Sequence, residues 1–312
     1  MGRCCCKRCW NGPTDRKIFR FGLKAGLSAA LIAVLWTQVD FGPALASMAA
    51  MDGMLVAGVF ALLLAHGVVS AWRWWAIMRL QGDAPDLRLV LRLFFVGMFF
   101  NQTLSTTLGG DAARVVLLRA RGTGMVVSSI MLERAAGLLA LIALIPAALL
   151  LAPNAVPVMA LAVLAAVLAV LIAFGPRLRD ARWRWVAAAG RHLGDARAIL
   201  LTLAGLPVLA LSLAIHMGGG LAVYGLALAS GAALDLLVCV TLVPPVLLLA
   251  TLPVSFGGWG VREAALIGLL GPFGIAADQA LGLSIALGLL VMAAGLPGGV
   301  LWLMPKKNKS EF

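Results

Sequence analysis

The sequence predicts an all-α integral membrane protein of about eight transmembrane helices, with two glycine-broken or re-entrant half-helices in an internal repeat. Three observations predict it. Of 312 residues, 62% are apolar and 12% charged, against about 25% charged in an ordinary soluble domain. The apolar residues come in blocks near the length of one bilayer crossing, roughly 20 residues of helix, without the alternation of a transmembrane β-barrel. A short segment with paired glycines and an arginine also occurs twice, 148 residues apart.

In chain order, residues 1–20 read as a basic cytoplasmic tail, 21–304 as one polytopic domain and 305–312 as a second cytoplasmic tail. Apolar blocks fall near 22–39, 53–72, 88–104, 124–151, 156–174, 198–217, 218–231, 236–256 and 279–303. Shorter pieces near 105–118 and 259–273 interrupt the rhythm. The Leu, Ala, Val and Gly content of the blocks suits membrane helices, which satisfy their own backbone polar groups. The first block shows no convincing cleavage site, so it is expected to be retained as a helix.

Charge sets the expected orientation. The first 24 residues hold seven bases, Arg3, Lys7, Arg8, Arg16, Lys17, Arg20 and Lys24, against Asp15, whereas loop 40–52 holds Asp40 and Asp52 and no base. Arg73, Arg79, Arg88 and Arg92 follow the second block, the polar stretch 177–197 carries six arginines, and Lys306, Lys307 and Lys309 lie in the tail. Lys and Arg accumulate on the cytoplasmic side, so both termini and the middle stretch are expected there, with an even number of crossings. The net charge of +12 flanks helices, where it sets topology and meets anionic headgroups; no nucleic-acid partner is expected. Trp72, Trp74, Trp75, Trp183 and Trp185 beside these bases read as an interfacial belt. Cys4, Cys5, Cys6 and Cys9 lie in the first tail with no His cluster, and Cys239 lies in an apolar block, so no metal or other cofactor is expected.

The echo is the most informative feature. Leu104-Ser105-Thr106-Thr107-Leu108-Gly109-Gly110-Asp111-Ala112-Ala113-Arg114 aligns with Leu252-Pro253-Val254-Ser255-Phe256-Gly257-Gly258-Trp259-Gly260-Val261-Arg262. Each segment follows an apolar run, breaks at a glycine pair and resumes a helical pattern. Irregular backbone at membrane depth is tolerated only beside protein or a water-filled cavity, and paired interrupted segments point to a transporter's binding site. A helix starting after Gly110 or Gly258 would expose unpaired N–H groups and the positive end of its dipole. Gly109, Gly110, Gly257 and Gly258 would let an anion approach, and Arg114 and Arg262, about one turn in, could fork onto a phosphate. The alternative is that the glycines serve helix packing and the arginines snorkel.

Further charges sit in the same regions. Glu133 and Arg134 lie early in an otherwise apolar helix, and Glu263 follows Arg262. Buried charge in hydrocarbon needs partners; Asp111, Glu133 and Glu263 balance Arg114, Arg134 and Arg262. Adjacent residues point about 100° apart on a helix, so a cross-bundle network is expected, with Glu133 meeting a half-helix arginine and Arg134 meeting Glu263 or Asp111. Such a network is either a static clasp or a gate that exchanges partners. Asn101, Gln102 and Ser255 are candidate cavity-lining residues. His66 and His216 are expected to make single interhelical bonds, and Pro244-Pro245 and Pro297 to kink helices. No nucleophile, nucleotide-binding or metalloprotease motif is present.

At these residues the chain resembles the flippase-like family, the membrane region of lysylphosphatidylglycerol synthases and their stand-alone relatives. The resemblance rests on Phe99-Phe100-Asn101 leading into Gly109-Gly110-Asp111 and Arg114, then Glu133-Arg134-Ala135-Ala136-Gly137, then Pro253-Val254-Ser255 and Gly257-Gly258-Trp259-Gly260-Val261-Arg262-Glu263. It covers nearly the whole chain. The first motif departs from it, with Ser105-Thr106 where relatives often have proline. The resemblance implies a polytopic protein of the bacterial inner membrane that translocates lipid between leaflets. Full synthases carry a soluble aminoacyl-transferase domain after the membrane region; the sequence ends at Phe312 without one, so lysyl transfer is not expected. Stand-alone relatives have been linked to hopanoid lipids and lipid-linked sugars, so the resemblance does not name the substrate.

The expectation is therefore a non-enzymatic lipid translocase whose partner is a membrane lipid with an anionic or zwitterionic headgroup. Gly109, Gly110, Arg114, Gly257, Gly258 and Arg262 would hold the headgroup, and Asp111, Glu133, Arg134 and Glu263 would gate. One rival is an accessory subunit of a membrane glycosyltransferase or lipid-modifying enzyme, including hopanoid pathways, docking through 177–197. A second is a membrane-embedded lipid-modifying enzyme using Glu133 or Glu263 as base.

Overall fold

A computed structural model describes residues 41–103, 109–151, 184–250 and 258–304. The described residues form ten α-helices: α1 (Phe41–Ala49), α2 (Gly53–Leu80), α3 (Leu87–Thr103), α4 (Gly109–Leu117), α5 (Thr123–Leu151), α6 (Arg184–Leu200), α7 (Leu206–Ala229), α8 (Leu236–Ala250), α9 (Val261–Leu270) and α10 (Ala277–Leu303). Four spans, Gly53–Leu80, Thr123–Ala148, Leu203–Ala229 and Ala277–Leu303, are long and apolar enough to cross a membrane. The expected blocks 22–39 and 156–174, and both terminal tails, lie outside the described residues.

The repeat is larger than the short echo. In each half a long helix turns into a shorter one, then a helix of nine or ten residues, then a second long helix: α2–α3–α4–α5 and α7–α8–α9–α10. The turn after the first helix is built alike both times. Gly82 and Gly231 take φ of 91° and 72°, the left-handed conformation that ends a helix at little cost only for glycine. The next N–H then reaches back five residues, Asp83 to the Met78 carbonyl and Ala232 to the Ala227 carbonyl. Asp86 and Asp235 then start the following helix, their carbonyls accepting from Val90 and Cys239.

The two halves run in opposite directions. Down the α2–α7 interface, Val59 meets Gly225, His66 meets Gly218 and the Ile215 carbonyl, and Arg73 reaches Ser212. One numbering rises as the other falls, so the helices are antiparallel. The second and last helices of each half also cross between halves, α3 packing on α10 and α8 on α5. Lipid tails are as apolar as leucine, so close packing must hold such an assembly, and the contacts are made by small residues. A Cβ on Gly220 would overlap the Cys239 carbonyl, and one on Gly298 would overlap the Phe95 carbonyl.

Helices α3 and α4 form a hairpin that enters and leaves the bundle at one end. Gly110 lies against Gly97 and Asn101, and the Arg114 guanidinium lies over the Phe94 ring further back along α3. The chain emerges at a 3₁₀ turn, Arg119–Arg121, where Arg121 Nη1 is 2.8 Å from Asp83 Oδ1, in the turn where the hairpin began. The block near 88–104 forms α3, whose 17 residues make it shorter than the four candidate spans, and α4 doubles back along it.

Other expectations need adjustment. The blocks near 198–217 and 218–231 are one helix, α7, because Gly218, Gly219 and Gly220 lie against His66, Leu247 and the α8 backbone and do not break it. The second crossing continues past Trp72 to Leu80, so Arg73 is no flanking base but a buried residue of α2. Trp74 leaves the interfacial belt for the same reason: it is fully buried, donating to Ser129 Oγ at 2.9 Å. The described part of the polar 177–197 stretch is the start of α6, whose Ala196 and Leu200 pack on Ile77, Leu132 and Val208.

Candidate functional site

The first hairpin carries a chain of five alternating charges. Arg73 Nη2 lies 2.9 Å from Glu133 Oε1, and Glu133 Oε2 lies 2.8 Å from Arg114 Nη1. Arg114 Nη2 lies 2.6 Å from Asp111 Oδ1, and the other Asp111 oxygen accepts from Arg134. Helix position explains the geometry. Asp111 and Arg114 sit three apart on one face of α4, while Glu133 and Arg134 leave α5 in different directions and meet different partners. Arg114 also stacks on Trp74, its carbon 4.7 Å from the ring centroid. Four members are buried; the Arg134 side chain is 44% exposed. Among the described residues three guanidinium groups face two carboxylates, so this chain of charges holds one excess positive charge. The Nε–H groups of Arg73 and Arg114 are buried with no hydrogen-bond partner among the described residues.

The second short helix is built differently. Gly258 and Gly260 take φ of 81° and 86°, so the helix starts at Val261, later than its alignment with α4 implies. Glu263 folds back to accept the Gly260 N–H at 2.6 Å, which caps the helix start from within its own first turn. The other Glu263 oxygen takes Arg262 Nη2 at 2.6 Å and the Ser284 hydroxyl at 3.0 Å, while Arg262 Nε donates to the same hydroxyl. Arg262 stacks on Trp259 at 4.7 Å and lies against Gly288 of α10, where no other side chain leaves room for a guanidinium. Among the described residues this cluster is neutral and closed.

Between the halves lies a cavity of about 400 Å³. Its walls are mostly apolar, among them Leu63, Met98, Leu247, Leu287 and Val291, and its polar groups are His66, Asn101, Gln102, His216 and Arg262. His66 bonds the Ile215 carbonyl at 3.1 Å and His216 the Gly137 carbonyl at 2.9 Å, each a single interhelical bond. His216 Nε2 and Arg73 Nη1 flank Gly137 together, so the charge chain ends beside the cavity. Asn101 joins the two from the other side, lining the cavity and accepting the Gly110 N–H at 2.7 Å.

An all-helical bundle with two long apolar helices per half, an echoed glycine–arginine element and buried charge between them restricts the family, and comparison settles it. The model for the lysylphosphatidylglycerol synthase TM region matches residues 22–299. The chain belongs to this family. A search of curated proteins finds no match. The match makes the chain a multi-pass membrane protein related to the membrane domains of lipid synthases.

For this family member, the residues expected at the site divide into two groups. Asp111, Arg114, Glu133 and Arg134 come together with Gly109 and Gly110; Gly258, Arg262 and Glu263 form a separate cluster. Arg134 meets Asp111 and not Glu263. Gly257 and Ser255 lie outside the described residues. The sequence reading missed Arg73, Ser212 and Ser284 as partners. For Arg73 a signal was present: Trp74-Trp75-Ala76-Ile77-Met78 continues the apolar pattern beyond it. The serines carry no signal, since a hydroxyl in an apolar helix points anywhere until its neighbour is known.

Proposed function

We propose that this protein moves an amphipathic lipid with an anionic or zwitterionic headgroup between the leaflets of the bacterial inner membrane, with no covalent step. The observation that supports it is the antiparallel pairing of two like halves around an amphipathic cavity. Inverted repeats with interrupted helices, and a binding site at their interface, are a recurring plan of transporters, because rocking one half against the other opens the site to each side in turn. The cavity suits a molecule with an apolar body and a polar end: leucine, methionine and valine line most of it, while Asn101, Gln102, His66, His216 and Arg262 converge on it. Arg262 and Arg114 would meet a headgroup phosphate by exchanging Glu263 or Asp111 for it, so headgroup binding and loosening of the clusters become one event.

The test is leaflet exchange of fluorescent phosphatidylglycerol, phosphatidylethanolamine and phosphatidylcholine in liposomes holding the purified protein. Exchange at least tenfold above protein-free liposomes is expected with at least one of them. Val291→Trp, which fills the cavity from α10, is expected to abolish it. Wild-type rates equal to protein-free rates for all three would remove the reading and favour an accessory subunit. Undiminished exchange in Val291→Trp would remove the cavity from the path.

A further inference from the structure

The excess charge of the first cluster has a location. In the chain Arg73–Glu133–Arg114–Asp111–Arg134 each carboxylate serves two guanidinium groups, and the cations stand at the ends. Arg73 ends it inside the bundle, with Ser212 as a further partner at 3.2 Å. Arg134 ends it outside, with 44% of its side chain exposed and half of one shared carboxylate as its partner among the described residues. Arg134 lies eleven residues beyond Thr123, the start of a 29-residue helix, about 16 Å along it at 1.5 Å per residue. With Thr123–Ala148 read as a crossing, that falls inside the hydrocarbon of a bilayer with a core about 30 Å thick. A long side chain near a helix end can lift its charge to the headgroups, but here the ion pair with Asp111 holds the guanidinium at depth.

The geometry points to Arg134 as a docking site for the phosphodiester of a membrane phospholipid, entered sideways from the bilayer between α4 and α5. An uncompensated cation in hydrocarbon is costly, and a ligand with one negative charge would bring the cluster to balance. A phosphodiester carries that charge on two free oxygens, which match the fork of a guanidinium. The surroundings suit the rest of a lipid. Met131, one turn before Arg134 on the same face of α5, is 40% exposed, and Val116 of the neighbouring α4 is 59% exposed, giving acyl chains apolar walls. The site is distinct from the cavity: Arg134 is not among its lining residues, and the charge chain lies between. This inference rests on the lipid-handling reading above and adds the point of entry. A phosphate that takes Arg134 releases one Asp111 oxygen, and through Arg114 and Glu133 the change reaches Arg73 beside the cavity.

The test is lipid-dependent melting of the purified full chain in detergent, with phosphatidylglycerol, phosphatidylcholine, diacylglycerol of the same acyl chains and sodium phosphate as probes. Both phospholipids are expected to raise the melting temperature, and diacylglycerol and phosphate to leave it unchanged. Arg134→Gln should weaken the phospholipid response at least tenfold, whereas Arg121→Gln, at an exposed surface pair, should respond as wild type. Without lipid, Arg134→Gln should melt no lower than wild type, because the remaining cluster is charge-balanced. A lipid-free melt well below wild type with the phospholipid response intact would make Arg134 a structural clasp and overturn the site. An equal response to sodium phosphate would overturn a lipid ligand. If Arg134→Gln does not fold, Arg134→Lys carries the test: it keeps the charge and loses the fork, so a several-fold weaker phospholipid response is expected and an unchanged one overturns the site. Binding and transport separate the two readings. Arg134-dependent binding without leaflet exchange would sink translocation alone, and exchange with binding and rate unchanged in Arg134→Gln would sink this site alone.

Discussion

The two glycine-broken elements are alike in sequence and unlike in chemistry. Both present a buried arginine stacked 4.7 Å from a tryptophan, and both pair it with an acid on the same short helix. Around Arg114 the pairing continues through Glu133 to α2 and through Asp111 to α5, tying three helices together and leaving a cation at each end. Around Arg262 the pairing among the described residues is with Glu263 and Ser284 and extends no further than α10. A duplicated element can thus supply one half that stores unbalanced charge and one that is self-contained. Under the proposed translocation, a headgroup that displaces Asp111 from Arg114 disturbs contacts of three helices, whereas one that displaces Glu263 from Arg262 disturbs those of α9 and α10.

The carboxylates give the largest separation. Removing one partner of a buried ion pair costs about 3–5 kcal/mol, because the other charge is left unpaired. Glu133→Gln leaves Arg73, Arg114 and Arg134 facing Asp111 alone, and is expected at or above the top of that range. Glu263→Gln leaves one arginine, still bonded to Ser284 and stacked on Trp259, and is expected near the bottom. Thermal melts of the two variants in the same detergent measure this. Adding Arg73→Met to Glu133→Gln should recover part of the loss, since it removes one of the stranded cations. Equal losses in the two single variants, or no recovery in the double, would mean that the clusters are held alike.

A middle-sized effect separates what positions each arginine. A Cβ at Gly110 would overlap the backbone carbonyl of Gly97, and neither backbone can yield without parting α4 from α3. A Cβ at Gly288 would instead meet the guanidinium of Arg262, the far end of a flexible side chain. Overpacking of this kind costs about 1–3 kcal/mol, and Gly110→Ala is expected at the upper end with a lower yield of folded protein. Gly288→Ala should fold, with Arg262 pushed from Glu263 and its loss of stability no greater than that of Glu263→Gln. A Gly288→Ala variant less stable than Gly110→Ala would reverse the assignment.

How much of this could be read in advance follows from which interactions are local. The membrane class, the long apolar helices and the existence of two interrupted segments are properties of single stretches, and Leu-, Ala- and Val-rich runs state them directly. The need of Glu133 for an arginine follows from its depth in an apolar helix, whereas the pair Asp111–Arg114 is absent from the expected network although its three-residue spacing allows it. Arg73 was assigned to a flank because one charge among tryptophans resembles a helix end, although the apolar run resumes after it. The larger repeat was hidden because its signature is a turn geometry, shared by Gln81-Gly82 and Ser230-Gly231 through backbone conformation and not through matching side chains. The antiparallel relation of the halves depends on contacts such as His66 with Ile215, 149 residues apart, for which neither sequence carries a mark.

The smallest expected effect tests where each short helix takes its N-terminal cap. At α9 the cap is internal, since Glu263 accepts the Gly260 N–H within its own first turn. At α4 it is borrowed, since the Gly110 N–H donates to Asn101 of the preceding helix. A borrowed cap couples the start of α4 to α3 and to the cavity that Asn101 also lines, so anything that moves Asn101 frees a backbone donor at the open cluster. Asn101→Ala is expected to cost about 1 kcal/mol, the net worth of one hydrogen bond. Its more specific consequence is faster hydrogen exchange at the Gly110 amide, with exchange at Gly260 unchanged. Filling the cavity with lipid should speed exchange at Gly110 in the wild type if Asn101 turns to the headgroup, and should do nothing in Asn101→Ala, where the donor is already free. Equal protection of the Gly110 amide in wild type and variant would mean that α4 keeps its first turn without Asn101, and the open element would then be as self-contained as the closed one.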